Sequence, residues 1–65
     1  MDITKVSEEG PFTSYVIRTV RHGLETWAAV VMRDRLLIAR AEYMSAQFAT
    51  TWALKTISSL PILSA

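Results

Sequence analysis

Residues 12–60 read FTSYVIRTVRHGLETWAAVVMRDRLLIARAEYMSAQFATTWALKTISSL, a stretch with no proline and one glycine, Gly23, set between Pro11 and Pro61. Along it an apolar series recurs at alternate steps of four and three: Val16, Val20, Gly23, Trp27, Val30, Asp34, Leu37, Ala41, Met44 and Phe48, continued by Trp52. A mean step of about 3.5 residues is the repeat that keeps one face of an α-helix turned toward a partner helix. The pattern predicts an all-α chain over about residues 11–60, either one long helix or a two-helix hairpin, that oligomerises through a heptad-like seam. Val16, Val20, Gly23, Trp27, Val30, Leu37, Ala41, Met44, Phe48 and Trp52 are then the interface. A coiled coil or a helical bundle is the expected architecture.

Residues 32–35 decide between the rod and the hairpin. A single helix over the whole stretch would run about 74 Å at 1.5 Å per residue and would set the Asp34 carboxylate inside the contact face. Buried polar residues at such positions fix register at a cost in stability, with Arg35 or an arginine of a neighbouring chain as partner. In the hairpin reading Asp34 instead caps a second helix. The segment lacks the glycine, asparagine or proline that usually marks a break. A β reading also stands open, because residues 12–20 are rich in β-branched side chains and residues 28–41 can form two short strands around Arg33, Asp34 and Arg35.

Punctuation divides the rest. Residues 1–10 hold Asp2, Glu8 and Glu9 against Lys5 and read as an acidic tail. Gly10 and Pro11 suit a helix start. Pro61 disfavours helical geometry at Leu60, which leaves 61–65 as a short apolar tail. From Leu37 to Trp52 large residues form one helical stripe, while Ala39, Ala46, Ala49 and Ala53 fall on another face, where small side chains permit close backbone approach.

Composition sets the functional limits. At 65 residues and 51% hydrophobic content the chain is one small domain with more apolar surface than it can cover alone. It has no cysteine, so thiolate catalysis and disulfides are excluded, and its single histidine, His22, rules out a two-histidine metal site within one chain. No carboxylate pair and no activated nucleophile are apparent, so no enzyme activity, cofactor or metal is expected. The N-terminus has the reverse of a secretory signal's charge layout, which gives an intracellular expectation with no signal peptide.

Residues 28–40 resemble the opening hairpin of Nudix hydrolases, but the glycine- and glutamate-rich box that holds the metal is absent, so the resemblance implies no activity. Leu36 and Leu37 followed by Met44 and Ser45 resemble the helix start of small secretion-apparatus needle and rod subunits, without that family's proline-containing turn.

Three functional expectations follow. The first is a small interaction or structural protein that acts by self-association or as an accessory subunit of a larger assembly, with itself or other protein subunits as partners. The second is a membrane-associated subunit with a helix at about 43–63, where Lys55 is the one charge and Arg33, Arg35 and Arg40 flank it. The third, the least favoured, is nucleic-acid binding through a basic face of Arg18, Arg21, Arg33 and Arg40. The net charge of +1 supplies little long-range attraction for a polyanion.

Overall fold

The computed structural model describes residues 2–60. It is a two-layer α+β structure in which strands β1 (Asp2–Glu9), β2 (Phe12–Arg21), β3 (Leu24–Arg33) and β4 (Leu36–Tyr43) precede one helix, α1 (Ala46–Ser59). The strands form a single antiparallel sheet in sequence order, β1-β2-β3-β4. The all-α expectation is therefore overturned, and with it the helical hairpin and the coiled coil: residues 12–43 are strands and tight turns.

The turns explain why. Each connection between strands has two central residues, and each places a residue at positive φ: Gly10 at 59°, His22 at 53° with Gly23 at 79°, and Asp34 at 59°. Two successive positive φ values at His22 and Gly23 fit a type I′ turn, and Gly10-Pro11 and Asp34-Arg35 carry a positive φ at the first central residue only. Turns of these hands match the twist of antiparallel strands. Gly23, read as a seam position, is thus the second residue of a hairpin turn. Asp34 occupies a left-handed turn position that aspartate tolerates better than most side chains, and neither it nor Arg35 sets a helical register. Between the turns, Thr13, Val16, Ile17, Thr19 and Val20 are β-branched and stiff at χ1, which suits a pleated surface better than a helix. Residues 2–9, expected as a tail, pair along β2 as an edge strand.

Register assigns the faces, because directly opposed residues in antiparallel strands share a side of the sheet. Phe12, Ser14 and Val16 of β2 lie opposite Arg33, Val31 and Ala29 of β3, and Val31 and Ala29 lie opposite Ala39 and Ala41 of β4. This side carries α1. Helix residues Ala49, Ala53 and Ile57 are fully buried against it. Two adjoining clusters make the core: Val16, Ala29, Ala49 and Ala53, flanked by Val6, Trp27, Tyr43 and Trp52; and Phe12, Val31 and Ile57, flanked by Ala39, Trp52 and Leu60. The alanine face of the helix is the packed one, since small side chains bring the helix axis close to the sheet. The large-residue stripe is split: Phe48 is 65% and Met44 63% exposed, whereas Trp52 packs against both clusters. The Phe48 ring leans on Tyr43, with centroids 6.5 Å apart.

Both edge strands carry an irregularity. The β1 pairing shifts between Lys5 and Ser7, and the β4 pairing between Val31 and Met32 leaves Ile38 without an opposed residue. Such bulges hinder continued pairing with another strand. The helix ends at Ser59, with Leu60 already extended (φ −70°, ψ 137°) ahead of Pro61. The tail read at 61–65 lies outside the described residues.

Candidate functional site

With α1 on one side, the other side of the sheet has no covering element among the described residues. Its residues fall into cross-strand rows. From the Pro11 end these are Glu8, Thr13, Met32 and Leu37; then Lys5, Tyr15, Val30 and Arg40; then Ile3, Ile17, Ala28 and Glu42; and finally Thr19 with Thr26, then Arg21 with Leu24. The centre is apolar. Val30 and Ala28 are buried by their sheet neighbours, whereas Ile3 is 62% and Leu37 49% exposed at opposite corners. A hydrophobic band thus crosses all four strands.

Charges sit on the two flanks, and each flank is internally balanced. Lys5 Nζ donates to Glu8 Oε1 at 2.7 Å on β1, and Arg40 Nη2 donates to Glu42 Oε2 at 3.5 Å on β4. The short Lys5–Glu8 pair raises the lysine pKa and lowers that of Glu8, in both cases mainly through the hydrogen bond and then through charge attraction. Both side chains are exposed, so solvent screens the pair and its contribution to stability is small.

The β2–β3 hairpin extends past the end of β4, at Tyr43 opposite Trp27, and among the described residues β1 pairs with it as far as Asp2 opposite Arg18, so residues 19–26 form a two-stranded arm that runs about 10 Å beyond the described edge strands. Val20 and Leu24 are exposed on it. Where the arm leaves the sheet, Thr19, Arg21, His22, Leu24, Thr26, Arg40 and Glu42 line a concavity of about 650 Å3. It lies on the uncovered face, beyond the end of β4.

The structure distributes the residues singled out from sequence. Val16, Trp27, Ala41 and Trp52 are on the helix-covered side or in the helix that covers it, and Val30 and Leu37 are on the open face. Val20 stands on the arm, Gly23 in its turn, and Met44 and Phe48 at the exposed start of the helical segment. They do not form one seam. The four arginines of the proposed basic face are likewise separated. Arg18 lies on the helix side and is held by acids of both neighbouring strands: its Nε donates to Glu25 Oε2 at 2.7 Å, Nη2 also contacts Glu25, and Nη1 donates to Asp2 Oδ2 at 3.2 Å. These contacts, Glu25 foremost, raise its pKa. Arg33, at the other end, places its guanidinium 5.8 Å from the Phe12 ring centroid. Only Arg21 and Arg40 share a surface, the concavity at the base of the arm.

Sequence reasoning missed Ile3, Tyr15, Ile17, Ala28 and Met32. The signal was present as alternation: Tyr15, Ile17 and Thr19 at steps of two, matched by Ala28, Val30 and Met32 across the hairpin. Among the described residues no group of three or more histidine, cysteine or acidic side chains could hold a metal ion, and no helix is long and apolar enough to cross a membrane. Compared with protein-family models, with curated proteins and with solved structures, the chain has no match in any of the three.

Proposed function

We propose that this chain is a small interaction protein that works by self-association, with the open face of its sheet as the contact and a second copy of the chain as its occupant. The observation that carries the reading is the apolar band from Ile3 through Ile17, Tyr15, Val30 and Met32 to Leu37, laid across a sheet face that no element covers among the described residues. Sheets of this kind bury one face against another at about 10 Å, with side chains of the two inner faces interleaved.

Size and charge favour a copy of itself. A stable interface buries about 800 Å2 per partner, and the longest dimensions of the chain, 43 by 20 Å, make its broad face about as large as that requirement. The flanking charges are paired cation to anion on each edge, so the face presents no single-sign field. A polyanion or an anionic bilayer has little to hold there. Self-association also compensates a small core: Ala29, Ala49 and Ala53 supply much of its buried set, and alanines bury little area each.

Light scattering of the purified full chain tests this. The wild type is expected to be dimeric. Ile17→Glu, a charge at the centre of the face that leaves the helix side untouched, should give a monomer that keeps its circular dichroism spectrum. Leu54→Glu, on the exposed side of α1, should leave the dimer intact. A wild type that stays monomeric but sediments with lipid vesicles or shifts a polynucleotide would overturn the proposal, as would an Ile17→Glu chain that remains dimeric.

A further inference from the structure

Resting on the self-association just proposed, we infer the register in which two copies meet: their open faces are related by a two-fold axis that crosses the strands between the Tyr15–Val30 row and the Ile17–Ala28 row, and this sets Arg40 of each copy against Glu42 of the other.

Three independent features select that axis. The first is overlap. β2 and β3 are the two long strands, ten residues each, and their midpoints lie between Val16 and Ile17 and between Ala28 and Ala29. The axis between the two rows, at the level of the Val16–Ala29 pair, lies within about half a residue of those midpoints and superposes the long hairpins along nearly their whole length, whereas an axis displaced by a full row leaves a longer strand end uncovered.

The second is charge. Rows on one face are two residues apart, about 6.8 Å, and the axis exchanges the Tyr15–Val30 row with the Ile17–Ala28 row. On β4 these rows end in Arg40 and Glu42. The intrachain contact between them is long, at 3.5 Å, so each is free to take a partner from the second copy, twice per dimer by symmetry. On β1 the same exchange lays Lys5 over Ile3, where the lysine stem can cover the isoleucine and its ammonium reach the rim. An axis parallel to the strands instead lays Lys5 over Arg40, juxtaposing like charges on both flanks, which disfavours association.

The third is shape. In the cross-strand register the row of Met32 and Leu37 arrives at the level of Thr26, so Leu37 of one copy passes beyond the end of the other copy's β4. That is where the 650 Å3 concavity lies, walled by Leu24, Thr26, Arg40 and Glu42. An exposed leucine and an open hollow, unexplained within one chain, fill each other across the axis. Moving the axis one row toward Thr13 opposes Lys5 to Glu8 but leaves the hollow empty and puts Leu37 on Arg40.

Charge reversal with mixing tests the register. In sedimentation equilibrium Arg40→Glu and Glu42→Arg should each weaken the dimer roughly tenfold or more, because each homodimer opposes like charges twice. An equimolar mixture of the two variants should return to near wild-type affinity, since the mixed dimer restores two opposite-charge pairs. Intrachain repulsion between residues 40 and 42 is not relieved by mixing, so failure of the mixture to recover would overturn the register. If the wild type dimerises and both single variants dimerise equally well, the register falls while self-association stands. A monomeric wild type removes both.

Discussion

Ser14 shows how little polar chemistry the core holds. It is fully buried, the one buried polar residue among the described residues, and its hydroxyl sits 2.7 Å from that of Ser7 on the neighbouring strand, with the Ser7 carbonyl oxygen accepting at 3.5 Å. Ser14→Ala removes the partner of a half-buried hydroxyl and should cost about 1 kcal/mol in urea unfolding. Ile57 is the largest fully buried side chain, wedged between Phe12 and Val31. Ile57→Ala opens a cavity under the sheet and should cost about 2–5 kcal/mol, enough to unfold a marginal chain of this size, as a denaturant midpoint would report. The Lys5–Glu8 pair adds a pH dependence of fixed sign. Glu8 has its pKa lowered in the folded state, so its contribution is present above the ordinary carboxylate range and is lost as pH falls through the folded value. Glu8→Gln should therefore flatten a small part of the stability decline on acidification, read by thermal unfolding at pH 6 and pH 3.

At the scale of elements the turns govern the outcome. Gly23 at φ 79° has open space around an added Cβ, so a substitution there meets backbone strain and no clash. Gly23→Val should destabilise the arm by about 1–2 kcal/mol, and amide exchange in residues 19–26 should rise ahead of that in the rest of the sheet. Asp34→Gly should be neutral or slightly stabilising at its left-handed position, whereas a heptad role for Asp34 would require the carboxylate.

The same residues show what could be read from the sequence. Pro61 marked the end of the helix within a residue, whereas of the alanine series only Ala49 and Ala53 lie on its packed side: Ala46 is exposed and Ala39 belongs to β4. The strands were concealed because a step of four preserves a strand face while a step of three reverses it. Val16 and Val20 therefore share a side, Trp27 and Val30 do not, and Val30 and Asp34 are separated by the strand's end. A chain with half its residues apolar satisfies both periods at once. What distinguishes them is turn chemistry: a histidine before Gly23 and an aspartate at position 34, both at positive φ, take roles more often marked by Asn-Gly or Asp-Gly. The open face was hidden for a related reason, since its residues lie in four separate segments and are brought together only by register.

For the whole molecule the decisive feature is asymmetry. One side of the sheet is closed by a helix that contributes two alanines and an isoleucine to the buried set, and the other side carries an apolar band that no element covers among the described residues. A 65-residue chain has a small core, and in the proposed dimer burial of the second face would link folding to association. Stability is then expected to rise with protein concentration, as thermal unfolding at micromolar and millimolar chain would reveal. The measurement that bears most directly on this account is sedimentation equilibrium of the wild-type chain in detergent-free buffer across a dilution series. A single reversible equilibrium between one chain and two, with the sheet retained by circular dichroism in the dimer, is the predicted result. A chain that remains a folded monomer at every concentration would contradict it.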